Sequence, residues 1–118
     1  MLEIELLDVV AVPFPYVERP VTRQRPAVVL AKPPSASRRQ LLWVMMVTSA
    51  ISRRWPGDIL ISDLASAGLP RPCLIRPAKI AVVEHAVTER WGHLGDGDAV
   101  ALRHALETLL QPLLATRL

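Results

Sequence analysis

The longest uninterrupted apolar run in the chain is Leu41-Leu-Trp-Val-Met-Met-Val47, only seven residues. A bilayer-spanning helix needs roughly 20, so the run reads as a strand buried on both faces or nearly so, the strongest core strand in the sequence. Met45 and Met46 fill gaps in such a core. Every other apolar run is shorter and bounded by turn residues. Asp8 to Phe14 is β-branched and reads as a strand, which Pro13 must end or confine to an edge because proline donates nothing to a ladder. Pro15 to Gln24 has no helical period and reads as a loop. Ala27 to Ala31 forms the second strand, and Lys32 to Gln40 a proline-stiffened loop. Pro56-Gly57 is a turn signal before a short strand at Ile59 to Ile61. Cys73 to Arg76, Lys79 to Val83 and Glu89 to Leu94 are further short strands, separated by Pro77 and a polar turn at Glu84-His85.

Two segments read as helix. Ser62 to Gly68 carries a capping residue at one end and a glycine stop at the other, which predicts one or two turns, and Leu69-Pro-Arg-Pro72 breaks it. The last element is longer. Asp96 or Asp98 caps it, and Ala99, Leu102, Leu106, Leu109 and Leu113 recur at spacings of three and four on one face. Pro112 should end it near Gln111. Five to seven short strands, one very short helix and a C-terminal helix predict a mainly β, α+β fold: a small, strongly bent barrel with the helix packed on it. At 118 residues and 51% hydrophobic, residues 1–118 are expected to form one domain.

The charge balance is 14 basic to 11 acidic residues, a net +3, and only Lys32 and Lys79 of the bases are lysines. The planar guanidinium fork suits phosphate, so the bias is compatible with a nucleic-acid partner. A GC-rich coding sequence yields the same bias, so position must weigh more than number. One cysteine, Cys73, permits no intrachain disulfide, and the dispersed His85, His93 and His104 have no metal-ligand spacing. The expectation is a reduced, cytoplasmic protein that needs neither membrane, metal nor cofactor.

Position singles out Arg25. Pro26 forces it to an extended backbone and so fixes its exit angle at the mouth of the second strand. The next long strand ends in Thr48-Ser49. If those strand ends converge, a permanent cation and a hydroxyl face one site. Read alone, Arg25 is open between a phosphate contact and a surface salt bridge, and Thr48 is more simply a hydroxyl satisfying the backbone. Arg19, Arg23, Arg53 and Arg54 flank both segments and could track a phosphate backbone. Tyr16 or Trp55 could stack on a base, although Trp55 beside Pro56-Gly57 reads equally well as packing. Glu18 sits in the right loop and could serve as a general base, although a solvated loop carboxylate is the simpler reading, and no spacing brings a histidine to Arg25.

Asp8-Val-Val-Ala-Val-Pro-Phe-Pro, Arg25-Pro-Ala-Val-Val-Leu, Val47-Thr-Ser, Trp55-Pro-Gly-Asp-Ile-Leu-Ile, Ala67-Gly-Leu-Pro-Arg-Pro and Ile75-Arg-Pro-Ala-Lys-Ile, in that order and spacing, resemble the MazF/PemK family of toxin endoribonucleases over about the whole chain. The resemblance implies an SH3-like barrel that forms a homodimer, binds single-stranded RNA (mRNA) near the dimer interface and cleaves it without metal. It also implies an antitoxin whose acidic, disordered tail occupies the same groove. The family's functional pair maps onto Arg25 and Thr48 as catalytic residues, and the neighbouring Arg19, Arg23, Ser49 and Arg53 are, by position alone, the expected RNA contacts. Three departures stand out. Leu7 occupies the place of a usual glycine, implying a local change of turn. Val17 to Gln24 carries Pro20 instead of glycines, implying a different RNA preference. Arg76 lies where some relatives place an acid, so their acid-assisted chemistry does not transfer. Two other readings of the same barrel are a toxin that binds DNA gyrase without chemistry of its own and an inactive RNA-binding barrel.

Overall fold

A computed structural model describes residues 3–14, 23–35 and 39–117. Its elements are β1 (Asp8–Phe14), β2 (Arg23–Ala31), β3 (Leu41–Ser49), β4 (Ile59–Leu60), α1 (Leu64–Ala67), β5 (Cys73–Glu84), a 3-10 turn (His85–Val87), β6 (Glu89–His93) and α2 (Asp96–Leu114). The six strands make one antiparallel sheet in the order β4-β5-β3-β2-β1-β6, curled into the half-barrel expected of an SH3-like fold. No helix among the described residues is long and apolar enough to cross a membrane.

Both faces of the sheet are buried, which is why the central strands read as continuous apolar runs. Val9, Val28, Met45, Val47 and Ile75 pack on one face against Ala67 of α1 and Ala99 and Leu102 of α2. Val10, Val12, Ala27, Val29, Leu42, Val44 and Met46 form a second cluster on the other.

β1 keeps the expected Asp8–Phe14 bounds, while β2 and β5 depart from theirs. β2 begins at Arg23 rather than Ala27, so Arg25 lies within a strand opposite Val12, not at its mouth. Pro13 is also inside β1. The β1–β6 pairing stops at Ala11, so Pro13 has a partner only in β2 and its missing donor costs no second ladder. β5 runs unbroken through Pro77. Val47 pairs with Ile75 but Met45 pairs with Ile80, so Met46 alone spans Arg76 to Lys79. The proline sits in that bulge, where no ladder bond is owed, and the excess residues bend the strand.

The helix ends differ as well. α2 starts from Gly95 as its capping residue, with Asp96 and Asp98 in its first turn, and it passes Pro112 to end at Leu114. A proline so near the terminus removes a single internal bond, and the chain closes behind it through Ala115 N–H to Gln111 O at 3.0 Å and Thr116 Oγ1 to Pro112 O at 2.6 Å. Asp98 is spent elsewhere: its buried carboxylate accepts from Ser62 N, Ser62 Oγ and Asp63 N at 2.7 to 3.1 Å. It thereby staples the start of α2 to the start of α1. The Asp63 carboxylate in turn caps α1 through Ser66 N at 3.0 Å, and Gly68 ends it at φ 71°.

Leu7 adopts φ 70°, the left-handed region that glycine takes without strain. It is held there by Leu7 N–H to Val29 O at 2.8 Å and Leu94 N–H to Leu7 O at 2.9 Å. Leu7 thus holds a backbone conformation that glycine would adopt without strain.

Candidate functional site

Arg25 and Thr48 come together through sheet register. The β2–β3 pairing runs as far as Ala27 and Met46, and Arg25 and Thr48 lie two residues beyond that pair on their own strands. Both line an open cleft of about 430 Å³. Its floor is Arg23 to Pro26 of β2 and Val47 to Ser49 of β3, and its walls are Leu69 to Arg71 and Cys73 on one side and Trp91 of β6 on another. Arg23, Arg25 and Arg71 are exposed there, and among the described residues no carboxylate lines the cleft. Three permanent cations without a counter-charge among the described residues make the cleft an anion site by composition.

The hydroxyls close strand β3 into the turn that follows. Thr48 Oγ1 donates to Ser52 Oγ at 3.3 Å, a side-chain partner and not the backbone. Ser49 Oγ accepts from Ile51 N at 3.4 Å, while Ala50 N–H reaches Pro72 O at 3.0 Å and ties the turn to the cleft wall. The Cys73 thiol donates to Arg71 O at 3.2 Å, and burial pushes its pKa up, so it packs as a small apolar group rather than a nucleophile.

Other candidates lie elsewhere. Arg19, Tyr16 and Glu18 fall outside the described residues. Arg53 does not line the cleft, and its carbonyl accepts from Arg76 Nη2 at 2.8 Å. Trp55 is part of that second cluster: its ring lies 4.0 Å from the Arg76 guanidinium, which also grips Asp58 through Nε at 3.1 Å and Nη2 at 2.8 Å. The Arg76 hydrogen bonds hold the Asp58 carboxyl below its usual range. Arg76, in the region where some relatives place an acid, is thereby committed to structure. His93 Nδ1 lies 2.8 Å from the buried Asp8 carboxylate, which Arg90 Nε also reaches at 3.1 Å. None of the three histidines lines the cleft, and among the described residues no three His, Cys, Asp or Glu side chains are grouped to hold a metal ion.

Sequence reasoning missed Arg71 and Trp91. Arg71 was visible only as part of a helix-breaking Pro-Arg-Pro, yet a cation between two prolines after a glycine stop is an extended, rigidly presented charge. Trp91 was visible as one residue of a strand, with nothing to say which way it points.

A family model described as PemK-like, MazF-like toxin of type II toxin-antitoxin system matches residues 5–110. Comparison with curated proteins returns no match.

Proposed function

The chain belongs to the PemK-like, MazF-like toxin family of type II toxin-antitoxin systems, and from that premise we propose that it is an endoribonuclease cutting single-stranded mRNA in the Arg25–Thr48 cleft. The observation that carries this reading is the cleft itself: the two residues on adjacent strands, in one groove, beside two more arginines and, among the described residues, no carboxylate. The reaction is an internal transesterification. The 2′-hydroxyl loses its proton, its oxygen bonds to the adjacent phosphorus, and the bond from phosphorus to the 5′-oxygen breaks as that oxygen takes up a proton. The products are a 2′,3′-cyclic phosphate and a 5′-hydroxyl.

Arg25 suits the crowded, doubly charged phosphorane. Its guanidinium stays protonated, offers two parallel charge-assisted donors, and sits on a strand that fixes its direction. One such preorganised donor contributes roughly 3 to 4 kcal/mol at a transition state. Thr48 in the same cleft carries a hydroxyl that can leave Ser52 and donate to a phosphate oxygen or orient the 2′-hydroxyl. Ser49 and Arg23 extend the contact along the backbone. The step draws on no metal or other cofactor, and an mRNA substrate puts the protein in the cytoplasm.

The same reading includes two protein partners. A homodimer is supported by an unpartnered apolar surface. Trp43 shares a face of β3 with Met45, and their cross-strand partners Val82 and Ile80 share it too, on the side where α2 packs. Trp43 is 49% exposed and Val82 57%, and the outer half of α2 adds Leu109, Leu113 and Leu114 at 54%, 68% and 77%. A second copy would cover both. An antitoxin with an acidic, disordered tail fits the arginine-lined cleft and would exclude RNA from it. Arg25→Ala and Thr48→Ala test the assignment: both are expected to stay folded and to lose RNA cleavage in EDTA, and wild-type cleavage by both sinks it.

A further inference from the structure

We infer that Trp91 is the base-stacking platform of the cleft, the residue on which a nucleobase next to the reacting phosphate rests, with Arg71 holding a neighbouring phosphate. The inference rests on the reading that the cleft takes RNA, and it assigns residues that reading leaves without a role.

Three independent features aim and fix Trp91. The first is a bulge. Val9 of β1 pairs with Gly92 and Val10 pairs with Arg90, so Trp91 is the extra residue in the ladder. A bulge re-aims a side chain that regular alternation would send elsewhere. The second is close packing of its backbone. A Cβ on Gly68 would lie 2.2 Å from the Trp91 carbonyl oxygen, and one on Gly92 would lie 2.4 Å from the Ala67 carbonyl carbon. Two glycines therefore let the end of α1 press directly against the Trp91–Gly92 peptide of β6. The third is location: the residue lines the cleft that holds Arg23, Arg25 and Arg71 and remains 37% exposed.

Trp55 stacks against Arg76 away from the cleft lining and Trp43 faces the apolar surface described above, so Trp91 is the tryptophan of the described residues that lines the cleft. A large aromatic ring among permanent cations is the composition that binds single strands, whose unpaired bases stack while the cations follow the phosphates. Double-stranded nucleic acid keeps its bases stacked on each other and offers such a ring nothing. A stacking platform also favours some bases at one position, which makes Trp91 a determinant of sequence preference.

The test uses the full chain and a fluorescein-labelled single-stranded 2′-O-methyl RNA of mixed sequence, which binds but lacks the attacking hydroxyl. Trp91→Leu is expected to weaken binding by about five- to 150-fold and to raise KM for a cleavable RNA while kcat stays within about threefold. Trp91→Phe should bind within about threefold of wild type, yet lose most of the tryptophan quenching that RNA causes. Arg71→Gln should reduce the slope of log affinity against log salt by about 0.7. RNA binding within twofold of wild type by Trp91→Leu, or quenching by Trp91→Phe equal to that of wild type, overturns the inference. Wild-type protein that binds no RNA overturns both this inference and the nuclease reading; wild-type cleavage with unaltered binding by Trp91→Leu overturns this one alone.

Discussion

Asp98→Ala is expected to destabilise the protein by about 3 kcal/mol, an effect out of proportion to a first-turn helix residue. Asp98 is 4% exposed, and its carboxylate receives the Ser62 amide, the Ser62 hydroxyl and the Asp63 amide. Truncation orphans two amides, each costing about 1 to 3 kcal/mol if it stays dry. The Ser62 hydroxyl can turn to solvent, and Ser62 and Asp63 are themselves exposed, which favours the lower half of that range. In a domain of this size that corresponds to a fall in melting temperature of about 10 °C. Asp96→Ala is the control, because Asp96 shares the first turn but is exposed, and it should cost only about 0.3 to 1 kcal/mol from the helix dipole. The pH dependence has a definite sign. Burial raises the Asp98 pKa, but the hydrogen bonds from Asp63 and Ser62 outweigh it and hold the group below its usual value. A depressed carboxylate pKa adds stability above the unfolded value of about 3.9, and that contribution is lost as the pH falls through the folded value. Urea unfolding should therefore separate wild type from Asp98→Ala widely at pH 7 and progressively less below about pH 4. Equal effects of Asp96→Ala and Asp98→Ala, or a gap that does not narrow in acid, would refute the staple.

Gly68→Ala must overcome φ 71° and a Cβ placed 2.2 Å from the Trp91 carbonyl, so thermal melts should show a loss of roughly 2 to 5 kcal/mol. Gly97→Ala, in α2 with nothing within 4 Å of the added carbon, should gain up to about 1 kcal/mol. Asp58→Ala removes the counter-charge of Arg76 and should lower the urea midpoint at neutral pH; because Arg76 depresses the Asp58 pKa, the difference from wild type should shrink below about pH 4. Leu113→Arg places a charge on the apolar outer half of α2 and, for the homodimer proposed above, should give a monomer in sedimentation, with the melting temperature losing its dependence on protein concentration.

The strands were the most legible part of the chain, for a physical reason. Runs such as Val9 to Val12 and Val44 to Val47 are buried on both faces of the sheet, so burial writes itself into consecutive residues. Pro77 misled because a proline reads as a break in its own strand, whereas the bulge that absorbs it is defined by what β3 does opposite. Pro112 misled in the same local way: its cost depends on how many helical bonds remain beyond it, and near Leu114 few do. The spacing of Leu106, Leu109 and Leu113 correctly named a helix face, but periodicity cannot say what covers a face, and only Leu106 packs on the described core. Arg25 and Thr48 became a pair through resemblance and register together. Trp91 stayed hidden because its aim comes from a one-residue bulge against β1 and from two glycines that are far apart in sequence.

The most direct test of the account is digestion of a long RNA of mixed sequence in EDTA, with both new ends identified at every cut. The account predicts 2′,3′-cyclic phosphate and 5′-hydroxyl ends at a restricted set of sequences, produced by wild type and lost in Arg25→Ala and Thr48→Ala. Cuts that leave 5′-phosphate ends, or undiminished cleavage by both variants, would contradict it.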